Sequence, residues 1–199
     1  FYDEDEIKKL LKDQISKKYD IKVKFNKKIS YSLLPKPFFY TKDLEILHKD
    51  KILGNSNYTK FYISPTNLFS LKKIRIQDLV FKNTEFEINA NNINFFKKTL
   101  YNSEKVDEVF FKKSKLFYEN ENDELLFLSK IDILNFFYDE KNQLKKVKSF
   151  FEIFNIPFKL DISKNINDLN KDIKLSSKKI RLNVETSIEK NETEINGFF

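Results

Sequence analysis

Apolar and polar residues alternate along most of this chain. Ile21, Val23 and Phe25 are separated by lysines, and the same period of two returns many times further on. The later examples include Ile29, Tyr31 and Leu33; Phe38 and Tyr40; Leu44 and Ile46; Ile74 and Ile76; Phe86 and Ile88; Leu126 and Leu128; Phe158, Leu160 and Ile162; Ile173 and Leu175; and Leu182 and Val184. A period of two gives a strand one apolar face, whereas buried parallel strands are continuous apolar runs. The pattern therefore predicts an antiparallel meander with one wet face.

Two segments have a helical period instead. Ile7, Leu10, Leu11 and Ile15 recur at helical spacings of three and four, which predicts an amphipathic helix over Asp5–Tyr19. Its acidic start and basic end complement the helix dipole, so this charge run needs no metal site. A second helix is predicted over Asn92–Asn102.

These elements predict a mainly β protein with a little α, in other words a β-rich α+β fold. We expect a single domain over residues 1–199, with the first helix in 1–20 and the sheet with its second helix in 21–199. No linker or change of composition marks a boundary. Because the chain begins at Phe1 and contains no methionine, we expect a fragment that is truncated at both ends.

Composition removes most catalytic chemistry. The 199 residues include 2 glycines, 1 histidine and no cysteine. Glycine-rich phosphate loops, thiol nucleophiles and cysteine-based zinc sites therefore lack their components. His48 lies among charged residues at the end of a predicted strand, where a surface histidine is the ordinary interpretation. We predict no enzyme activity, no cofactor and no metal site.

The net charge of +7, from 37 basic and 30 acidic residues, invites a nucleic-acid interpretation. Aromatic residues stand beside lysines in Phe95–Lys98 and Phe110–Lys113, as in stacking platforms. However, only Arg75 and Arg181 are arginines, acidic residues are interspersed almost everywhere, and the abundant lysine resembles the bias of an AT-rich genome. Nucleic-acid binding is therefore the less favoured interpretation, and no nucleic-acid partner is expected.

A long sheet with one apolar face must have that face covered. Two short helices cannot cover about a dozen strands, which at about 4.8 Å per strand extend roughly 55 Å. The remaining face either closes against a second sheet as a sandwich or curls into a groove for acyl chains. Alternation alone favours the sandwich, because sandwiches are the commoner solution.

Four segments in order resemble the N-terminal region of the AsmA-like proteins. They are Ile29–Ile46; Ile63–Ile88, which contains Leu68-Phe-Ser-Leu71 and Ile74-Arg-Ile76; Ser114–Tyr118 with Leu128–Ile133; and Ile156-Pro-Phe158. Together they cover roughly Asp5 to Ile162. The turns differ, since asparagine and lysine replace the glycines of the family.

This resemblance implies a periplasmic protein of Gram-negative bacteria that is anchored in the inner membrane and related to β-groove lipid transporters. The helix in 1–20 would then be juxtamembrane, and the anchor helix would precede this fragment. The implied role is non-catalytic: an extended, curved sheet whose apolar face guides phospholipids between the two membranes or supports outer-membrane assembly. The implied partners are phospholipid acyl chains, the inner membrane and other envelope proteins. A scaffolding or protein-binding β-sandwich without lipid remains the alternative.

The residues predicted to line the groove are Tyr31, Leu33, Tyr40, Leu44, Ile46, Ile74, Ile76, Phe86, Ile88, Leu126, Leu128, Phe158, Leu160, Ile162, Leu182 and Val184. Some of them are expected to form core beneath the helices instead.

Overall fold

The chain forms one open, curved sheet that carries a helix on one face. The computed structural model describes residues 3–67, 74–96, 108–122, 124–165, 170–190 and 195–198. The helix α1 is Glu4–Tyr19. The strands are β1 (Lys22–Phe25), β2 (Ile29–Ser32), β3 (Phe38–His48), β4 (Lys51–Ile63), β5 (Ile76–Ile88), β6 (Val109–Glu119), β7 (Leu125–Asp139), β8 (Leu144–Ile153), β9 (Ile156–Asn165), β10 (Lys171–Ser177), β11 (Leu182–Lys190) and β12 (Ile195–Phe198).

The described strands pair almost entirely in chain order. The sequence of neighbours is β1, β3, β4 and then each strand in turn to β12, while β2 continues the line of β1 along β3. All pairs are antiparallel except β5 with β6, which is parallel. The mainly β prediction with a mostly antiparallel, curved sheet is confirmed.

Helix α1 is fixed by its own ends and by its apolar stripe. The Asp3 carboxylate accepts hydrogen bonds from the backbone N–H groups of Asp5 and Glu6, and Asp20 closes the other end in a left-handed conformation. Ile7, Leu11 and Ile15 are at most 3% exposed. The helix therefore begins and ends within about one residue of the predicted limits.

The main core lies between α1 and the first half of the sheet. We call the face that α1 covers the inner face and the opposite one the outer face. The buried inner-face residues of this core are Val23, Phe39, Leu44, Ile46, Phe61, Ile63, Ile74, Ile76, Leu79, Phe81 and Val109. The buried residues of this core therefore come from α1 and from the part of the sheet between β1 and β6.

Five neighbouring strands share one irregular row, which we call the bulge row: Asp43, Asn57, Asn83, Lys113 and Asp132. Partners on either side are in register, for example Lys42 with Tyr58 and Leu44 with Ser56, but the row itself is skipped. Asp43, Asn83 and Lys113 have positive φ angles of 57°, 50° and 51°. Each strand thus gains one residue at the same level, and such irregularities bend a sheet.

Small hydroxyl side chains occupy the inner side of this bend. The Thr59 and Thr84 hydroxyls each donate to the Ser56 Oγ, at 3.0 Å and 3.1 Å, and the Ser114 Oγ accepts from the Thr84 backbone N–H at 3.3 Å. These residues are at most 2% exposed. They satisfy polar groups that the interrupted ladder leaves unpaired, and their small size allows the sheet to bend.

The parallel pair requires the chain to cross the sheet between β5 and β6. Residues 93–96 begin this crossover as a helical turn. The Phe95 ring stacks on His48 with centroids 4.0 Å apart, and the Phe96 ring meets Phe86 at 6.0 Å. The described start of the crossover, residues 93–96, therefore lies on the inner face. The remainder of the helix predicted over Asn92–Asn102 lies outside the described residues.

Two features of the sheet differ from the sequence interpretation. The prediction of a purely antiparallel meander is wrong at β5 and β6, which pair in parallel. Alternation shows which face of a strand is buried, but it does not show the direction of the neighbouring strand. Strand β8 is not predicted from the sequence, because Ser149 interrupts its apolar positions and lysines lie on both of its faces. The turn between β7 and β8 comprises residues 140–143.

Candidate functional site

Beyond the core, the inner face continues without burial of its apolar side chains. No apolar residue of β8–β11 is buried among those whose side chains the structure describes, although many are half-buried. On β7, Ile131 is 7% exposed and is the last buried apolar side chain in the sheet order. The part of the sheet that described residues cover therefore ends near β7, and from β8 onwards no described element lies over the inner face.

We call the inner face of β8–β11 the trough. Register places its apolar residues in rows across the strands: Phe151 pairs with Phe158, Val147 with Ile162, and Leu160 with Leu175. The complete apolar set is Val147, Phe151, Ile153, Ile156, Phe158, Leu160, Ile162, Ile173, Leu175, Leu182, Val184 and Ile188. With four strands the trough is roughly 14 Å wide.

Aromatic rings mark one end of the trough. Phe151 and Phe158 stack at 5.5 Å with planes 17° apart, and the neighbouring Tyr118 and Phe127 stack at 5.0 Å. At the opposite end, Lys145, Lys164 and Lys171 stand on the inner face of adjacent strands. Burial lowers the pKa of Lys171 to about 8. The trough is apolar along its length and basic at one end.

The predicted lining residues fall into four groups. Phe158, Leu160, Ile162, Leu182 and Val184 lie in the trough and are half-buried. Leu44, Ile46, Ile74 and Ile76 are core beneath α1. Phe86 and Ile88 lie on the inner face near the crossover.

The last group consists of Tyr31 and Leu33, which are 51% and 54% exposed at or beyond the edge strand β2, and of Tyr40, Leu126 and Leu128 on the outer face.

The prediction that all the lining residues lie on one apolar face is therefore wrong for Tyr40, Leu126 and Leu128. In β3 the bulge row adds one residue between Tyr40 and Leu44, so alternation counted across it changes face. In β7 apolar residues occupy both faces between Leu125 and Ile131, so alternation alone does not identify Phe127 and Ile131 as the inner ones. Tyr40 lies between the buried Phe39 and Thr41 and points the other way. A visible signal exists in the sequence, because Lys42-Asp43, Lys82-Asn83 and Lys112-Lys113 are polar pairs that interrupt the period of two.

The outer face carries an aromatic and lysine cluster that sequence reasoning did not single out. The Lys60 ammonium lies 4.0 Å from the Phe38 ring centroid and 5.8 Å from that of Tyr58, and Tyr40 packs on Tyr58 at 5.7 Å. Burial lowers the pKa of Lys60, and nearby Lys82 and Lys112 lower it further. Cation–π attraction to these rings stabilises the ammonium group of Lys60 in its partly buried position.

The residues weighed for nucleic-acid stacking have structural partners. Phe110 and Phe111 point to opposite faces, and Phe111 stacks on the core residue Phe81 at 4.9 Å. Phe110 carries Lys112 over its ring at 5.0 Å. Phe95 and Phe96 pack on the inner face, while Lys97 and Lys98 lie outside the described residues.

The polar groups that could have suggested catalysis are also engaged elsewhere. The His48 Nδ1 lies 3.1 Å from the Asp20 carbonyl oxygen, and its ring is stacked under Phe95. Asp139 pairs with Lys146 at 2.6 Å, and this hydrogen bond, with a second from Asn142, lowers the Asp139 pKa to about 2. In the described part of the chain, no three acidic or histidine side chains gather as a metal site requires.

Comparison with protein-family models found no match for this chain, and comparison with curated proteins found none. The resemblance to the AsmA-like family, with the localisation and partners that it implies, therefore stays a prediction. None of the described helices has the length and apolar character needed to cross a bilayer.

Proposed function

We propose that this protein binds phospholipid acyl chains in the trough and does so without catalysis. The observation that carries the proposal is the inner face of β8–β11, which no described element covers and whose apolar side chains are only half-buried. A soluble domain rarely leaves such a patch without an occupant. Acyl chains are a suitable occupant because each buried CH₂ contributes about 0.8 kcal/mol and requires no hydrogen-bonding partner.

The dimensions of the trough also suit acyl chains. Ile156 and Ile162 are separated by six residues along β9, or roughly 20 Å. One leaflet of a bilayer has a hydrocarbon half-thickness of about 15 Å. An extended acyl chain therefore fits along the strand direction within the apolar rows.

The cellular role follows the sequence resemblance and goes further than the trough itself. We propose a periplasmic protein, held at the inner membrane by an anchor, that guides phospholipids towards the outer membrane or supports outer-membrane assembly. An open sheet whose apolar rows run across successive strands supports this role, because lipid could move from one row to the next without crossing a polar barrier.

The alternative function is a protein-binding scaffold of the envelope without lipid. The outer-face cluster of Phe38, Tyr40, Tyr58 and Lys60 favours it, since its two tyrosines are half-buried at the surface and tyrosine is enriched at protein interfaces. The two functions make different demands on the trough, which would hold lipid in the first and no lipid in the second.

The test is mass spectrometry of lipids that co-purify with the wild-type chain and with Leu160→Lys. Leu160 lies in the middle of the trough, where an ammonium group would face acyl chains instead of water. We expect the variant to fold and to carry several-fold less lipid. Phe150→Lys is the matched control, because Phe150 is 47% exposed on the outer face of the adjacent strand.

Three outcomes would contradict the proposal. The first is a wild type that carries no lipid even when phospholipid is supplied, and the second is a Leu160→Lys variant that retains all its lipid. The third is a Leu160→Lys variant that unfolds, as Leu44→Lys is expected to do in the closed core, because this would assign Leu160 to a sealed interior.

A further inference from the structure

The outer face of β3–β6, on the opposite side of the sheet from α1, carries lysines and aromatic residues in register. Two adjoining rows across these four strands form a surface that we call the outer patch. Its members are Lys42, Tyr58, Lys82 and Lys112 in the first row and Tyr40, Lys60, Val80 and Phe110 in the second. The first row lies directly beside the bulge row, and its three lysines are exposed.

Aromatic rings are the described neighbours of the ammonium groups in this patch. The Lys82 Nζ lies 5.7 Å from the Tyr58 ring centroid, and the Lys112 Nζ lies 5.0 Å from that of Phe110. The charged groups that lower the pKa of Lys60 beyond the effect of burial are Lys82 and Lys112. Lys82 and Lys112 are also directly opposed across β5 and β6, and like charges in such positions repel. The lysines of the patch therefore reinforce one another's positive potential.

The same strands compensate their outer-face lysines on the other side of the bulge row. There the Lys115 ammonium pairs with Glu85 at 2.9 Å across β6 and β5. Lys24 of β1 pairs with Glu45 of β3 at 3.1 Å. Among the described side chains, no carboxylate forms such a pair with a lysine of the outer patch. The contrast lies within single strands, so it belongs to this part of the face and not to the composition of the chain.

The rows that border the outer patch offset only part of its charge. The bulge row contributes the exposed residues Asp43, Lys113 and Asp132. The row on the other side contributes Asp78, which is in register with Tyr62. Against the four lysines of the patch, the borders add one lysine and three aspartates, so a net positive charge remains. An occupant that complements this surface is therefore anionic.

Two properties favour a lipid bilayer over a polypeptide or a nucleic acid as this occupant. The first row continues on β7 and β8 with Ile133 and Phe150, which are 39% and 47% exposed, so apolar side chains stand beside cations. Surfaces that lie in a membrane interface combine these two kinds of side chain, and tyrosine is enriched at the same depth. In addition, all four cations are lysines. Lysine is depleted at protein interfaces, and arginine is the usual choice for bidentate recognition of a phosphate or carboxylate.

We propose that the outer patch docks this protein on the surface of a bilayer that contains anionic phospholipids. The lysines contact the headgroups, Tyr40 and Tyr58 lie at the headgroup level, and Ile133 enters the interface. This inference goes beyond the proposed function and does not depend on it, because the trough lies on the opposite face of the sheet and on other strands.

The experiment measures sedimentation of the chain with two kinds of vesicle, one of phosphatidylcholine alone and one with about one third phosphatidylglycerol. For the wild type we expect at least about tenfold tighter binding to the anionic vesicles at about 50 mM salt and a smaller preference at about 500 mM. The test variant combines Lys42→Gln, Lys82→Gln and Lys112→Gln, which are exposed positions. Its affinity for the anionic vesicles should fall at least about tenfold at low salt.

The matched control combines Lys9→Gln, Lys12→Gln and Lys17→Gln on the exposed side of α1. It loses the same net charge from the opposite side of the sheet, and its affinity should fall by less than about threefold. Equal losses from the two triple variants would show that net charge, and not the outer patch, drives binding.

A separate variant, Ile133→Ser, tests the apolar contact with the bilayer. Its affinity for the anionic vesicles should fall at both salt concentrations, because salt does not screen burial of an apolar side chain. An unchanged affinity would contradict entry of this face into the interface.

The remaining outcomes separate this inference from the proposed function. Leu160→Lys should dock on vesicles as the wild type does; if it does not, the trough and not the outer patch holds the bilayer. A wild type that binds neither vesicle, or both equally, contradicts the inference. So does a patch whose lysines are needed to bind an oligonucleotide or polyglutamate but not vesicles. Normal docking without co-purifying lipid would contradict the proposed function alone. Circular dichroism shows whether each variant is folded.

Discussion

Lys171 places an ammonium group on the inner face with 9% of its surface exposed. Desolvation lowers its pKa from the ordinary 10.5 to about 8. Burial therefore penalises the charged form in the folded state, and the unfolded chain binds more protons between those two values. In the folded state this desolvation therefore lowers the stability of the protein at neutral pH.

The sign of this shift gives a prediction. The free energy of unfolding should rise as pH increases from about 8 to about 10.5, and the penalty should be complete below pH 8. Lys171→Met should lack this rise and be more stable than the wild type at pH 7 by on the order of 2 kcal/mol. Urea unfolding at pH 7, 8, 9 and 10 measures both quantities.

The control for this prediction is Lys174→Met, on the outer face of the same strand. The Lys174 ammonium is hydrogen-bonded to Glu185 at 2.8 Å, which raises its pKa, so its removal should leave the rise above pH 8 in place. A flat profile in the wild type would show that Lys171 is well solvated.

At the scale of elements, α1 does more than cover the sheet. The Gln14 Nε2 donates to the Ile74 carbonyl oxygen at 2.8 Å, and its Oε1 accepts from the Ile76 N–H at 2.9 Å. The side chain thus acts as a strand partner at the start of β5, where the ladder with β4 shifts register between Tyr62 and Ile63. It joins the helix to the sheet through two backbone groups.

We therefore expect Gln14→Ala to lower the free energy of unfolding by about 1–3 kcal/mol, since Ile74 and Ile76 would lose hydrogen bonds in a partly buried position. Chemical denaturation measures the change. Lys9→Ala, on the exposed side of the same helix, should change stability by less than about 0.5 kcal/mol. Equal effects from both variants would contradict the bridging role.

The bulge row acts on five strands at once. The irregular residues Asp43, Asn57, Asn83, Lys113 and Asp132 stand at one level, so paired residues of neighbouring strands still point to the same face of the sheet. Within each strand, however, the inward-pointing positions change from odd to even numbers, or from even to odd, at this level. The row ends at β8, where the register with β7 shifts between Ile131 and Ile133. The element that bends the covered half thus ends where the trough begins.

At the scale of the whole molecule, one sheet combines two kinds of packing. Strands β3–β6 have a closed core under α1, whereas the apolar residues of β9–β11 are half-buried. Local stability follows the density of buried apolar contacts. Although the ladder is continuous, the two halves are therefore not expected to open together.

Hydrogen exchange should show this difference. In the lipid-free chain we expect amides of β9–β11 to exchange at least tenfold faster than those of β4 and β5, through openings that leave the core intact. Acyl-chain binding should slow exchange in β9–β11 and leave β4 and β5 unchanged. Uniform protection across the sheet would instead indicate one cooperative unit with a closed interior throughout.

The sequence by itself determined the local structure of this protein. The spacing of Ile7, Leu11 and Ile15 defines α1, and the period of two identifies most strands, because helix and strand periodicities follow from backbone geometry alone. The trough residues Phe158, Leu160 and Ile162 were predicted correctly as one face, since β9 contains no irregular residue between them.

Only the tertiary structure decided which apolar faces are sealed. Leu44 and Leu160 have the same alternating pattern, yet α1 covers the first and no described element covers the second. The parallel β5–β6 pair and the alignment of Lys145, Lys164 and Lys171 likewise depend on register between strands distant in sequence. Periodicity encodes the faces of each element, whereas pairing and cover arise from long-range packing that no single segment contains.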